Sequence, residues 1–234
     1  MTTKEMHYDF KRKFNKVDSQ KNRNFLVPEI DWFLNEAAEL FVKRIAEPRN
    51  QSYLGFETTQ RAIDDIRSIV VSTGWEPITD NTIALPSNYL FYVRGRLQLS
   101  REGKCQETEA LLYIREHRDI FEESPFYASS FEWREINGLY DSEGIKVFND
   151  GTFTVDKAKL TYIRKMAYMH NAQDFGSGSY NHPSGVTLTG SANCELPEHT
   201  HREVVDIAVM LAASEVQSSD LQGKLSKLNF NQIV

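Results

Sequence analysis

Five side chains near the C-terminal end could in principle ligate a metal: Cys194, His199 and His201 lie close together, and His170 and His182 precede them. Zinc sites recur with pairs such as C-x-x-C or H-x-x-x-H, whose spacing puts both ligands on one knuckle or one helix face. Cys-x4-His-x-His ahead of a helix fits none of these, and solvated histidines around a helix N-terminus account for the cluster. Ser177 and Ser179 sit in a glycine-serine stretch that lacks the G-x-S-x-G order of a nucleophile elbow. Gly103-Lys104 lacks the preceding glycine and following Ser/Thr of a phosphate loop and reads as a hairpin turn. The acidic residues Asp64, Asp65, Asp119, Glu122 and Glu123 are solubilising charges that nothing pairs into an acid/base dyad. No catalytic residues, cofactor or metal are expected. The competing readings are a small metal-dependent hydrolase using the histidine-rich loop and a monomeric ligand- or carbohydrate-binding β module.

The composition supports a packed core: of 234 residues, 40% are hydrophobic and 12% aromatic. A mean hydropathy of −0.49 and 26% charged residues describe a soluble chain. No run reaches the ~18 to 20 apolar residues of a spanning helix, so no membrane is expected. Met1 to Phe10 has no apolar core of a secretory signal, which points to synthesis and retention in a cytoplasm. Two cysteines, Cys105 and Cys194, are too few for a disulfide framework and read as free thiols. Charge is uneven: residues 1–24 carry +4 within a chain of net −6, leaving −10 on the remainder. Such a basic segment suits docking on an acidic surface more than specific reading of nucleic acid.

The fold class expected is α+β, with an N-terminal helical hairpin, an antiparallel β-sandwich or partly open barrel, and a C-terminal helix. Residues 1–26 read as a basic arm, extended or marginally helical, that orders only on a partner. Residues 27–80 read as the hairpin. Its first helix, Pro28 to Ala46, carries the stripe Ile30, Phe33, Leu34, Ala37, Phe41 and Ile45. Its second is capped by Thr58 or Thr59, carries Ala62, Ile63, Ile66, Ile69 and Val70, and ends at Gly74. Residues 81–171 read as antiparallel strands, with Asn149-Asp150-Gly151 as a hairpin turn. Residues 172–195 read as a long mobile Gly/Ser loop. Pro197 opens a helix within 196–217, with Val204, Ile207, Ala208, Leu211 and Ala212 buried, and 218–234 form a tail.

The order of short motifs resembles a known family. Ser72-Thr73-Gly74-Trp75-Glu76, Leu85-Pro86, a β-rich middle, and Leu196-Pro197-Glu198 leading into Val204-Val205-Asp206-Ile207-Ala208 resemble the tail adaptor (tubular or gatekeeper) proteins of short-tailed phages. Leu160-Thr161-Tyr162-Ile163-Arg164-Lys165, Glu195-Leu196-Pro197-Glu198 and His201-Arg202-Glu203-Val204-Val205-Asp206 are similar to the shared signature of tail-barrel ring proteins in crAss-like phages. Met166 stands where that pattern has proline. The resemblance implies a non-catalytic virion protein, assembled in the cytoplasm of the bacterial host. It would form a homo-oligomeric ring of twelve subunits that contacts the portal or an adjacent tail ring and passes double-stranded DNA non-specifically through its lumen. The candidate assembly contacts are Lys11, Arg12, Lys13 and Phe14 in the basic segment, Pro125, Phe126 and Trp133 between strands, and Phe230 in the tail.

Overall fold

In a computed structural model of the protein, residues 1–14, 24–46, 63–101, 108–115 and 128–215 are described. Three helices are α1 (Thr3–Phe14), α2 (Val27–Ala46) and α3 (His201–Glu215). The strands run β1 (Val70–Ser72), β2 (Glu76–Pro77), β3 (Thr82–Ala84), β4 (Tyr89–Ser100), β5 (Thr108–Ile114), β6 (Glu135–Asp141), β7 (Gly144–Phe148), β8 (Thr154–Arg164), β9 (Ser179–Asn181) and β10 (Thr187–Thr189). The chain divides into two compact units, Met1–Ile69 with Met166–Val234 and Val70–Lys165. The class is α+β.

The helical unit begins with a capping box. The Thr2 hydroxyl accepts from the Glu5 amide at 3.3 Å and the Glu5 carboxylate accepts from the Thr2 amide at 2.8 Å, so two backbone donors at the start of α1 are satisfied. Lys11, Arg12 and Lys13 fall in its last turn, where the helix dipole favours cations. Thr3, Met6, His7, Phe10 and Phe14 recur at helical spacing and are buried. Phe10 stacks on Phe14 and Phe33 at centroid distances of 6.0 and 6.3 Å, and Phe25 closes the cluster edge-on, 4.9 Å from Phe14. The segment expected as an arm ordering only on a partner is therefore, through Phe14, a helix with its own buried face. The rest of it, 15–23, lies outside the described residues.

On α2 the expected stripe is buried from Ile30 to Phe41, and Asp31, Ala38 and Val42 widen it. A 3-10 turn over Glu198–Thr200 leads from Pro197 into α3, whose Val204, Ile207, Ala208 and Ala212 are buried as expected, while Leu211, also expected there, is only partly buried. The expected second helix of the hairpin ends earlier than its apolar spacing suggests. Residues 63–66 are helical and Arg67–Ile69 form a 3-10 turn. Val70, read as part of the helix stripe, instead starts β1 and pairs with Ile163. Gly74 does not take the positive φ of a helix-terminating glycine. Thr58, Thr59 and Ala62 lie outside the described residues. The Gly/Ser stretch is also ordered: a 3-10 turn over Ala172–Asp174 and the β9–β10 hairpin replace the expected mobile loop.

The other unit is a curled, half-barrel sheet in the order β1-β8-β4-β5-β6-β7-β3, with β2 also on β8. Inward residues, among them Leu97, Leu99, Leu112, Ile136, Ile145 and Leu160, alternate with outward ones and form its core. The sheet is mixed and not purely antiparallel, because β5 and β6 pair in parallel from Leu111↔Glu135 to Ile114↔Gly138. Nor is Asn149-Asp150-Gly151 a hairpin. The turn forms, with Gly151 at φ +79° and the Asp150 carboxylate accepting from the Thr152 amide at 2.9 Å. It delivers the chain from β7 to β8, which pairs with β1, β2 and β4 and not with β7. The tight hairpin is instead β6–β7, closed at Asp141↔Gly144.

Gly144 has φ +150°, and a Cβ there would collide with the Ile83 carbonyl oxygen of the neighbouring edge strand. Gly144→Ala should cost roughly 2 to 4 kcal/mol through strain and displacement of β3. Urea unfolding followed by sheet-unit fluorescence would show it as a lowered midpoint.

Candidate functional site

The most concentrated polar chemistry in the helical unit surrounds Asp31, which α2 carries into the core with no exposed surface. Burying a carboxylate costs several kcal/mol unless its lone pairs are met. They are met from three segments. His7 on α1 donates through Nε2 to Oδ1 at 2.7 Å, and Tyr180 on β9 donates its hydroxyl to Oδ2 at 2.6 Å. The Asn171 amide donates to both oxygens at 3.2 Å. One turn further along α2, Asn35 acts as a strand partner: its Oδ1 accepts from the Met169 amide at 2.9 Å and its Nδ2 donates to the Met169 carbonyl at 2.7 Å. Asp31 and Asn35 thus fix the backbone from Met169 to Asn171 against one helix face.

The same network raises the neighbouring phenols. Burial, then the hydrogen bond to Asp31 and its charge, push Tyr180 well above the ordinary tyrosine range. Burial and the Asp31 charge push Tyr168 up to about 12, against a smaller opposing effect of Tyr180. Asp31 is sealed from solvent and its oxygens are occupied, so its chemistry here is positioning.

What it positions is a cleft of ≈ 550 Å³ lined, among the described residues, by Phe25, Trp32, Phe33, Tyr168, Tyr180 and His182, together with Pro28, Glu29, Asn181, Pro183 and Glu215. The His182 ring lies between Tyr168, edge-on at 4.5 Å, and Trp32, stacked at 6.4 Å. Its Nδ1 lies 2.8 Å from Ser184 Oγ and 3.2 Å from the Ser184 amide, which fixes the ring against the turn after β9. The volume and aromatic wall suit an apolar segment, and the carboxylates of Glu29 and Glu215 suit a cation beside it.

His170 is buried and pairs with Ala192 through its backbone alone, while the two histidines at the start of α3 are engaged separately. His199 Nε2 lies 2.6 Å from Asp65 Oδ1, and His201 Nε2 donates to the Leu196 carbonyl at 2.8 Å. Cys194 is a free thiol whose pKa burial pushes up, which disfavours the thiolate that metals and electrophiles need. Among the described residues no group of three or more His, Cys, Asp or Glu could hold a metal ion. Among those residues too, no helix is long and apolar enough to cross a membrane.

The candidate assembly contacts separate into different environments. Arg12 bonds Asp9 at 2.7 Å, and Lys13 bridges Asp9 at 2.9 Å and Asp206 on α3 at 2.8 Å, so both cations are committed within their own unit. Phe14 is core and offers no surface. Lys11 is exposed and also borders a smaller cleft of ≈ 260 Å³ with Phe10, Phe14, Asn24 and Phe25. Pro125, Phe126 and Phe230 lie outside the described residues. Trp133 is 81% exposed on a fixed turn of the sheet unit. Its amide donates to Ser130 Oγ at 3.3 Å, Arg134 holds φ +58°, and Phe131 beside it is buried against Phe153. On the outward face of β5, Leu111 and Tyr113 are also exposed.

Sequence reasoning missed Asp31, which reads as a charge favoured near the start of α2. The signal available was the pair Asp31 and Asn35, four residues apart on a helix otherwise apolar on that side. Neither a protein-family model nor a curated protein matches the chain.

Two outcomes follow from the network. Tyr180→Phe should lose about 1.5 to 3 kcal/mol, the range for a hydrogen bond to a charged group, read as a lowered urea midpoint. The raised phenol pKa means the folded state holds the tyrosine proton more tightly than the unfolded state. The Tyr168 contribution is therefore complete below pH 10, the ordinary value, and is lost as pH climbs toward 12. Urea midpoints at pH 9, 10 and 11 should fall more steeply in the native chain than in Tyr168→Phe.

Proposed function

We propose that this protein is a structural subunit of a phage head-to-tail connector or tail-barrel ring, acting through assembly without catalysis. The observation that carries the reading from the structure is Trp133. An indole four-fifths exposed on a hydrogen-bonded turn is poorly suited to a free surface and well suited to anchoring a protein interface, where tryptophan contributes disproportionately. Leu111 and Tyr113 add exposed apolar surface to the same unit. The order of motifs, which resembles that of tail adaptor and ring proteins, supports the class of assembly.

In this reading the surface around Trp133 packs on a different surface of the next copy, a heterologous contact that closes into a ring, expected to hold twelve subunits. The ring stacks on the portal or an adjacent tail ring. Double-stranded DNA passes non-specifically through its lumen during ejection, the virion being the place of action and the host cytoplasm the place of assembly. The charge of −10 outside residues 1–24 supports a conduit role, because an acidic wall repels phosphates and lets the duplex slide. The edge strands β1 and β3 have three residues each, too short for strong strand addition, so side-chain packing is the favoured mode of subunit contact.

Light scattering on the purified chain, alone and with assembled rings of a phage portal protein, tests this. Ring formation should raise the mass from 27.0 kDa to about 320 kDa, or add about that mass to the portal. Trp133→Ala should weaken assembly by about 2 kcal/mol or more per contact while leaving the subunit folded. A monomer that ignores the portal would overturn portal docking, and unaltered assembly of Trp133→Ala would overturn the anchor.

A further inference from the structure

The aromatic cleft of the helical unit has no cationic Lys or Arg among its described lining residues, and its two acids are Glu29 and Glu215. Glu215 is also the last described residue of α3, so the rest of the chain, 216–234, follows from a residue that lines the cleft. The sequence that follows, 216–234, is unlike a solvating tail. Leu221, Leu225 and Leu228 recur at four- and three-residue steps, Phe230, Ile233 and Val234 follow, and Lys224 and Lys227 lie among them.

We propose that the cleft is the docking site of this chain's own C-terminal segment, residues 221–234, in cis. Three properties converge on that occupant. The cleft's ≈ 550 Å³ falls within the ~300 to 1,000 Å³ typical of sites that bury most of a ligand's surface, and its wall is largely aromatic, as an apolar segment requires. The charges are complementary, since the cations of Lys224 and Lys227 suit a rim that carries Glu215 and Glu29, the latter also accepting from the Leu26 amide at 2.7 Å, whereas an acidic partner would be repelled. Only the five residues 216–220, which can span at most about 17 Å, separate Glu215 from the segment, and so short a connection keeps its effective concentration at the cleft of order millimolar. At micromolar protein that concentration favours the same chain over any second copy. The inference is independent of the ring reading.

Trp32, half-exposed on the cleft wall, reports occupancy. In the full-length chain with Trp75→Phe and Trp133→Phe it is the sole indole. Acrylamide quenching of that chain is compared with the same chain carrying Leu225→Asp and Leu228→Asp, circular dichroism confirming equal helix content. Docking in cis gives at least about a twofold rise in the quenching constant for the aspartate variant, the same at every protein concentration. Lys224→Glu with Lys227→Glu should give a smaller rise. Equal quenching in all variants would overturn the proposal. A difference that disappears on dilution would place a second copy in the cleft and overturn docking in cis.

Discussion

A carboxylate with no solvent contact must be satisfied by the protein or stay protonated, and Asp31 is satisfied by groups from α1, from the backbone at Asn171 and from β9. Removing any donor leaves a buried charge short of a partner, so the three segments are held to α2 by a penalty as much as by an attraction. That requirement sets the place of Tyr180, and through it the β9–β10 hairpin, whose Asn181 and His182 line the aromatic cleft. It also fixes His7, and with it the face of α1 that buries Met6 and Phe10. Thr3 reinforces the arrangement by donating to the Ala192 carbonyl at 2.7 Å, and Lys4 by pairing with Asp174 at 3.2 Å.

The parts of the fold that rest on local patterning were legible in the sequence. The stripes of α2 and α3 follow the 3.6-residue period, and most strands follow β-branched and aromatic runs between turn residues. Where period and propensity disagree the reading fails: Ile66, Ile69 and Val70 fit one helix face, yet Val70-Val71 are β-branched and β8 offers a partner, so the helix ends early and β1 begins. Asn149-Asp150-Gly151 specifies a change of direction, but not which strand the departing chain pairs with. That choice is made by β4, which claims β8 along its length.

Order in the 172–195 segment was invisible because glycine and serine carry little local preference. What orders the segment is distant: Asp31 holds Tyr180 within it, and Asn35 holds Met169 just ahead of it. The helix at the N-terminus, by contrast, had a signal. Thr2 and Glu5 form a capping box, and Thr3, Met6, His7, Phe10 and Phe14 share one face, but the surrounding lysines and arginines drew the reading toward a basic arm. Those cations complement the α1 dipole and pair with Asp9 and Asp206. Lys13 and Arg12 lower the Asp9 carboxyl despite its burial, which pulls the other way. Of the candidate contacts, the surface-available Trp133 and Lys11 keep an assembly role open to the protein, while Phe14 serves the core.

The measurement that bears most directly on this organisation is amide hydrogen exchange of Asp31→Asn, an isosteric change that removes the charge and keeps the volume. Hydrogen bonds to a charged group contribute about 1.5 to 3 kcal/mol each, and Asp31 accepts from three groups, so protection over Thr3–Phe14 and over residues 168–192 should fall together by about a hundredfold or more, with β4, β5 and β8 unchanged. A loss confined to Asn171 and Tyr180, with α1 as protected as before, would contradict the role of Asp31 as the common anchor.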